Sequence, residues 1–301
     1  MNRKVQFRLD TGIWRCGDGT CLLKTPAGKE AESFIEVIVR REQSAARFFT
    51  GNLSVVTGER KHGGLLYPYL RHPTFEKLVA DRLISGDSDA ALAIVTNYIS
   101  LLRSLPARSC VPEEFLAFVN DPHPRISENL LCFSAGPIDL IPSNILVADG
   151  SYYAIDNEWF FDFPIPVDFV IYRGLTSMIF RLQREIRANA AQSAVTLFSG
   201  YGSKRAYLPQ AWAGPMGALK PPLDRLNMWN SHFQQQVLLF SPAFRLRFSP
   251  HAPGCACPGV SDGALPKTAP LLARWQFKGE LAAVKLKQAF QTMREKLHWK
   301  K

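Results

Sequence analysis

Residues 138–146 read Ile-Asp-Leu-Ile-Pro-Ser-Asn-Ile-Leu, and residues 153–156 read Tyr-Ala-Ile-Asp. No other stretch restricts the fold so narrowly. Asp139, Pro142, Ser143 and Asn144 are turn formers set between short apolar runs, 131–133 and 144–147, which read as strands. Ala148-Asp149-Gly150 is a turn signal, and residues 152–155 form the returning strand. The Asp139 loop is therefore flanked by strands, and a hairpin leads from it to Asp156.

The chain before this loop changes character near residue 74. Residues 5–9 alternate apolar and polar, 13–16 and 20–24 suit two more strands, and Gly17-Asp18-Gly19 is a hairpin turn between them. A helical stretch then runs from Pro26 to about Phe49, with Phe34, Ile35, Ile38 and Val39 as its apolar face. Residues 53–56 and 64–69 suit further strands. From Thr74 the spacing is helical: Phe75, Leu78, Val79 and Leu83 form one stripe. A second helix, capped by Asp87 or Ser88, carries Leu92, Ile94, Val95, Tyr98 and Leu102 to about Leu105. Residues 106–130 are Pro-rich and give no clear assignment. After Pro166 the pattern is helical again, over 167–185 and on through Phe198. The expected class is α+β: a small antiparallel sheet with one helix over residues 1–70, then a mainly helical lobe over 71–240. Residues 241–270, with six Pro, read as a linker or long surface loop. Residues 271–301 read as a helix with Leu286, Phe290, Met293 and Leu297 on one stripe.

That last segment holds much of the charge. The chain carries a formal +10, and residues 271–301 contribute eight Lys/Arg against two Glu, a net of +6. The rest is only mildly basic, and no basic stripe with interleaved aromatics accompanies it, so nucleic acid is not an expected partner. The tail suits an anionic membrane surface or a docking protein. No run reaches the ~20 apolar residues of a membrane span, and the N-terminus lacks a signal-peptide core. The six cysteines are scattered, which fits free thiols in a reducing cytoplasm. Cys255 and Cys257 are too close for a usual zinc pair, and His62, His72, His123, His232 and His298 show no ligand spacing.

Asp139, Asn144 and Asp156 are the residue types that nucleotide-dependent phosphoryl transfer needs. One carboxylate receives the acceptor hydroxyl's proton, while an amide oxygen and a second carboxylate hold a divalent metal on the phosphates. The Asp-x4-Asn loop, its Pro, and the downstream Asp together resemble the protein-kinase-like fold, bilobal, in its aminoglycoside-phosphotransferase-like form. The continuation Ile155-Asp156-Asn157-Glu158-Trp159, then Asp162 to Arg173 (DFPIPVDFVIYR), is similar to kinase-like domains of bacterial surface-polysaccharide loci. The kinase half of the O-antigen chain-terminating methyltransferase/kinase belongs to that group. The likeness is specific over about residues 130–175, weaker over 1–130, and absent beyond about 200.

The resemblance implies roles for particular residues. Asp139 would be the catalytic base, Asn144 and Asp156 the magnesium ligands, and Lys24 the grip on the ATP phosphates. Lys24 would pair with a glutamate of the following helix, Glu36 or Glu42. Tyr67 and Tyr69 lie where the adenine-binding hinge would be, and Asp168 resembles a buried anchor of the catalytic loop. Glu158 suits either metal assistance or a salt bridge. Trp159, Phe160, Phe161 and Phe163 suit core packing or stacking on a sugar ring.

Three features depart from the family. Gly136-Pro137-Ile138 replaces the usual His or Arg before the base, Asp156-Asn157-Glu158 replaces Asp-Phe-Gly, and no Gly-rich loop is present beyond the short Asp10-Thr11-Gly12. The expected function is transfer of the ATP γ-phosphoryl, with magnesium, to a sugar or glycan hydroxyl in lipopolysaccharide-type assembly. The expected site of action is cytoplasmic, at the inner membrane if the tail binds there. The other reading is a catalytically degenerate kinase-fold module that binds nucleotide or scaffolds polysaccharide-assembly proteins.

Overall fold

The computed structural model describes residues 3–16, 19–49, 51–121, 129–188, 195–198, 205–208, 210–237 and 248–250. They belong to a unit spanning Met1–Pro253. A second unit, Gly254–Lys301, lies outside the described residues, and so do the expected basic helix and nearly all of the expected linker.

A single 3-10 turn, Val5–Phe7, precedes strands β1 (Leu9–Cys16) and β2 (Gly19–Pro26). Residues 5–9 and 13–16 are thus not separate strands. The alternation continues through Asp10-Thr11-Gly12, and β1 pairs with β2 along its whole length, from Leu9 opposite Pro26 to Cys16 opposite Gly19. Helix α1 (Glu32–Phe48) buries Phe34, Ile35 and Ile38 as its period predicts. Strands β3 (Leu53–Val55), β4 (Glu59–Lys61) and β5 (Gly64–Pro68) follow, and the antiparallel sheet has the order β1-β2-β5-β4.

Helices α2 (Phe75–Ile84) and α3 (Ser88–Ser104) open the helical lobe. Their N-caps are side-chain oxygens: Thr74 accepts from the Lys77 amide at 3.1 Å and Asp87 from the Ala90 amide at 3.0 Å. The Pro-rich stretch resolves into β6 (Ala107–Cys110) and α4 (Glu113–Phe118), followed by β7 (Leu130–Phe133) and β8 (Gly136–Pro137). Beyond the Asp139 loop come β9 (Ile145–Ala148) and β10 (Ser151–Ala154), joined by a turn at Gly150 with φ 78°. There β3 leaves the first sheet and pairs in parallel with β10. Short strands β11 (Phe160–Phe161) and β12 (Ile165–Pro166) lead into α5 (Val167–Arg181) and α6 (Gln183–Ala188).

The helix expected to continue through Phe198 stops earlier. Val195–Phe198 is β13, between β14 (Arg205–Leu208) and β15 (Phe248–Pro250). Helices α7 (Gln210–Gly217) and α8 (Leu223–Val237) complete the lobe. The architecture is α+β, an antiparallel N-terminal sheet followed by a mainly helical lobe, as expected. One apolar core runs from Phe34 and Leu65 through Tyr98 and Phe133 to Trp229. Cys110 and Cys132 are free thiols. Among the described residues, no helix is long and apolar enough to cross a membrane.

Candidate active site

The loop after β8 is held by short local bonds. The Ile141 amide donates to the Asp139 carbonyl at 2.7 Å, and the Asn144 amide to the Ile141 carbonyl at 2.8 Å. Pro142 starts the 3-10 turn Pro142–Asn144, where its missing N–H costs nothing. Asn144 Nδ2 donates to the Asp139 carbonyl at 3.2 Å, and its Oδ1 accepts from the Ser143 hydroxyl at 3.1 Å. The Ile155 amide donates to the Asn144 carbonyl at 2.8 Å and ties the loop to the segment carrying Asp156.

Asp156 follows β10 with φ 61°, in the left-handed region. For a non-glycine residue this costs roughly 1–2 kcal/mol, and such outliers cluster at functional sites. Its carboxylate pairs with Lys24 Nζ, and Lys24 also reaches Glu158 Oε1 at 2.9 Å. Lys24 sits in β2 opposite Thr11 and Leu65, mostly buried, with its ammonium 5.5 Å from the centre of the Tyr67 ring. Burial alone would lower its pKa, but Asp156 and Glu158 reverse that and raise it. Burial works against Asp156 as well, yet Lys24 holds its carboxyl below the usual range. Glu158 is 3% exposed and is raised, first by burial and then by Asp156. Its other oxygen pairs with Arg3.

Asp139 is 8% exposed. Its Oδ2 accepts the Trp159 amide at 3.2 Å, and its Oδ1 lies 3.5 Å from Arg173 of α5. Burial pushes its carboxyl up to about 7, with Arg173 opposing and Asp156 and Glu158 adding. A carboxyl near 7 is matched to accepting a proton at neutral pH.

Lys24, Asn144, Asp156 and Glu158 line one cavity of about 860 Å³. Tyr67, Tyr69, Leu22, Val56 and Leu146 give it apolar walls, and Arg3, Arg8, Asp10 and Thr11 close its N-terminal side. The volume is that of a small-molecule site. Asn144 and Asp156 offer hard oxygens of the kind magnesium takes, with phosphates and water completing the shell. These two residues would hold the ion. Among the described residues, no group of three or more His, Cys, Asp or Glu is arranged around a metal position.

Four expectations take a different form. Glu36 is exposed and paired with Arg60 on the surface, away from Lys24. Glu42 is buried but accepts from the Gly58 amide at 2.9 Å and the Tyr67 hydroxyl at 2.7 Å, so it braces β5. The partners of Lys24 come from the other lobe. Asp168 does not anchor the loop: it is half-buried, 3.4 Å from Arg103, and accepts from the Lys220 amide at 2.9 Å. Finally, Asp10-Thr11-Gly12 is mid-strand, Gly12 opposite Leu23, and makes no phosphate loop.

The loop is anchored by residues to which the sequence reading gave no role there. Arg173 Nε donates to the Ile138 carbonyl at 3.3 Å, and the buried Tyr98 hydroxyl donates to the Leu140 carbonyl at 2.8 Å. Arg173 thus brings from α5 the cation that Gly136-Pro137-Ile138 lacks. Its only sequence signal was its place at the end of the Asp162–Arg173 stretch. Arg3 and Arg41 gave none. Arg41 donates to the Glu158 carbonyl and lies 5.0 Å from the Trp159 ring centre. Of the aromatic cluster, Trp159 and Phe160 are core, while Phe161 and Phe163 are partly buried against Phe118.

No family model and no curated protein matches the chain. Among solved structures it is similar to macrolide 2'-phosphotransferase MphH from Brachybacterium faecium, at 12% identity over 78% of this chain and 82% of that one, TM-score 0.32. It is also similar to a choline/ethanolamine kinase family protein from Mesorhizobium loti, at 13% identity over 75% and 76%, TM-score 0.33. A third is the choline kinase LicA from Streptococcus pneumoniae, at 15% identity over 75% and 82%, TM-score 0.31.

Proposed function

We propose that the cavity binds ATP and that the protein transfers its γ-phosphoryl group to a hydroxyl. The observation that carries this reading is convergence. Lys24, Asn144 and Asp156, three chemically matched groups from separate parts of the chain, line one cavity, and Asn144 is bonded to the Asp139 loop. In the transfer, the acceptor oxygen bonds to the γ-phosphorus as the bond to the β-phosphate oxygen breaks. The products are ADP and a phosphate ester, and the acceptor proton passes to Asp139. Lys24 stabilises charge on the phosphates. A magnesium ion held by Asn144 and Asp156 supplies further charge neutralisation. The acceptor is read as a sugar or glycan hydroxyl of bacterial surface-polysaccharide assembly, on the likeness of residues 155–173. The basic tail at 271–301 is read as a contact to an anionic membrane or an assembly protein. The test is phosphoryl transfer by Asp139→Asn: nucleotide binding is kept and transfer is lost. Full transfer by that variant overturns the mechanism.

One observation favours a second reading, a kinase-fold module that binds nucleotide without turnover. Asp156 is already paired with Lys24. Binding of ATP with no transfer to any hydroxyl acceptor or to water would support it.

A further inference from the structure

A triphosphate brings several negative charges, and kinase-like sites usually meet them with backbone N–H groups of a glycine loop as well as a lysine. Here the short Asp10-Thr11-Gly12 stretch is inside a strand ladder, Thr11 opposite Lys24 and Gly12 opposite Leu23. The N-terminal segment supplies something else. Its turn is pinned by Phe7, whose ring centre lies 5.0 Å from that of Phe34 on α1 and 5.0 Å from that of Trp159. This packs the segment against α1 and Trp159, and Arg3 and Arg8 join the cavity lining. Arg8 Nε donates to the Arg3 carbonyl at 2.9 Å, so the two residues hold one another in place.

Glu158 organises the cations. One oxygen takes Lys24 at 2.9 Å and the other takes Arg3, so the ammonium and the guanidinium sit side by side on one buried carboxylate. A guanidinium has five N–H donors in a planar fork. The bond to Glu158 occupies one nitrogen of Arg3, and the side chain is still 27% exposed. Among the described residues, the donors of Arg8 beyond Nε meet no protein partner, and this residue is exposed.

We propose that Arg3 and Arg8 form a phosphate clamp of the nucleotide cavity, with Glu158 positioning Arg3 beside Lys24. The proposal rests on the nucleotide reading above. It predicts that the N-terminal segment reads phosphate number, whereas the apolar wall around Tyr67 reads the base.

The test is calorimetric titration of the full chain with ATP, AMP and adenosine, in magnesium, for wild type, Arg3→Ala, Arg3→Lys and Arg8→Ala. Arg8 is exposed, so its variant keeps the test informative if Arg3→Ala loosens the segment. Removing a charge-assisted hydrogen bond should weaken ATP on the order of tenfold or more. Adenosine affinity should stay unchanged, AMP should change less than ATP, and Arg3→Lys should recover part of the loss. ATP affinity unchanged in both alanine variants overturns the clamp while leaving the nucleotide reading intact. Equal losses for ATP and adenosine also overturn it, because the segment then only shapes the cavity. Absence of ATP binding by wild type overturns the clamp and the nucleotide reading together.

Discussion

Gly174 on α5 is the tightest point beneath the Asp139 loop, and it allows a quantitative test of how that loop is held. A Cβ there would collide with the Tyr98 hydroxyl and lie 2.9 Å from Tyr98 Cζ and 3.0 Å from Pro142 Cδ. Tyr98 is 1% exposed and cannot retreat into solvent. Gly174→Ala gains about 0.5–1 kcal/mol of helix propensity. Against this, overpacking costs about 1–3 kcal/mol. Pushing the hydroxyl off the Leu140 carbonyl leaves a buried acceptor unmet, about another 1–3 kcal/mol. The net expectation is a destabilisation of about 1–5 kcal/mol, opposite in sign to the propensity scale. Tyr98→Phe alone should cost about 1–3 kcal/mol through the same orphaned carbonyl. In the double variant the collision with the hydroxyl is gone and the orphaned Leu140 carbonyl is counted once instead of twice, so the total should fall short of the sum by about 1 kcal/mol or more. Urea denaturation of the four proteins measures this cycle. Additivity within about 0.5 kcal/mol, or a Gly174→Ala variant as stable as wild type, refutes the reasoning.

Other outcomes follow from the same contacts. Arg173→Met should lower transfer on the order of a hundredfold through misplacement of Asp139 while leaving ATP affinity intact, since Arg173 does not line the cavity; steady-state kinetics beside calorimetry separates the two. Glu36→Ala should change neither stability beyond about 1 kcal/mol nor activity, because its pair with Arg60 is exposed; a large loss of ATP affinity would restore Glu36 to the site. Glu42 is raised by burial above its ordinary 4.5, so the folded state holds its proton more tightly than the unfolded chain. The stability linked to it is present below that value and is lost as pH rises through the folded value. The stability difference between wild type and Glu42→Gln, from denaturation at several pH values, should therefore shift in favour of the variant as pH rises through that window. A flat difference contradicts it.

What was legible in the sequence was local. The Asp139 loop, its turn residues and the Asp149-Gly150 hairpin are specified by neighbouring side chains, and so are the caps at Thr74 and Asp87 and the buried face of α1. What was not legible depends on contacts across long stretches of chain. Lys24 finds Asp156 and Glu158, 132 and 134 residues away, and strand periodicity says nothing about such partners. The expected Glu36 pair failed because Glu36 faces solvent on α1, while Glu42, one face over, was taken by Gly58 and Tyr67. Asp168 sits in the first turn of α5, where its carboxylate meets Arg103 and the Lys220 amide; Arg173, five residues on, turns inward to the loop instead. Strand β3 alternates as an N-terminal sheet strand should, yet it pairs with β10, a choice made by tertiary packing. Asp10-Thr11-Gly12 was the short candidate for a glycine loop, but continuous pairing with β2 keeps it extended.

The account turns on whether the cavity is a metal-dependent ATP site. The most direct measurement is thermal stabilisation by ATP, with and without magnesium, of wild type and Asp156→Asn. A ligand that binds only the folded state raises the midpoint by mass action. Wild type should be stabilised by ATP, more so with magnesium, and Asp156→Asn should lose the magnesium-dependent part. No stabilisation of wild type under either condition, or an equal magnesium effect in Asp156→Asn, would contradict the assignment of Asp156 and of the cavity it lines.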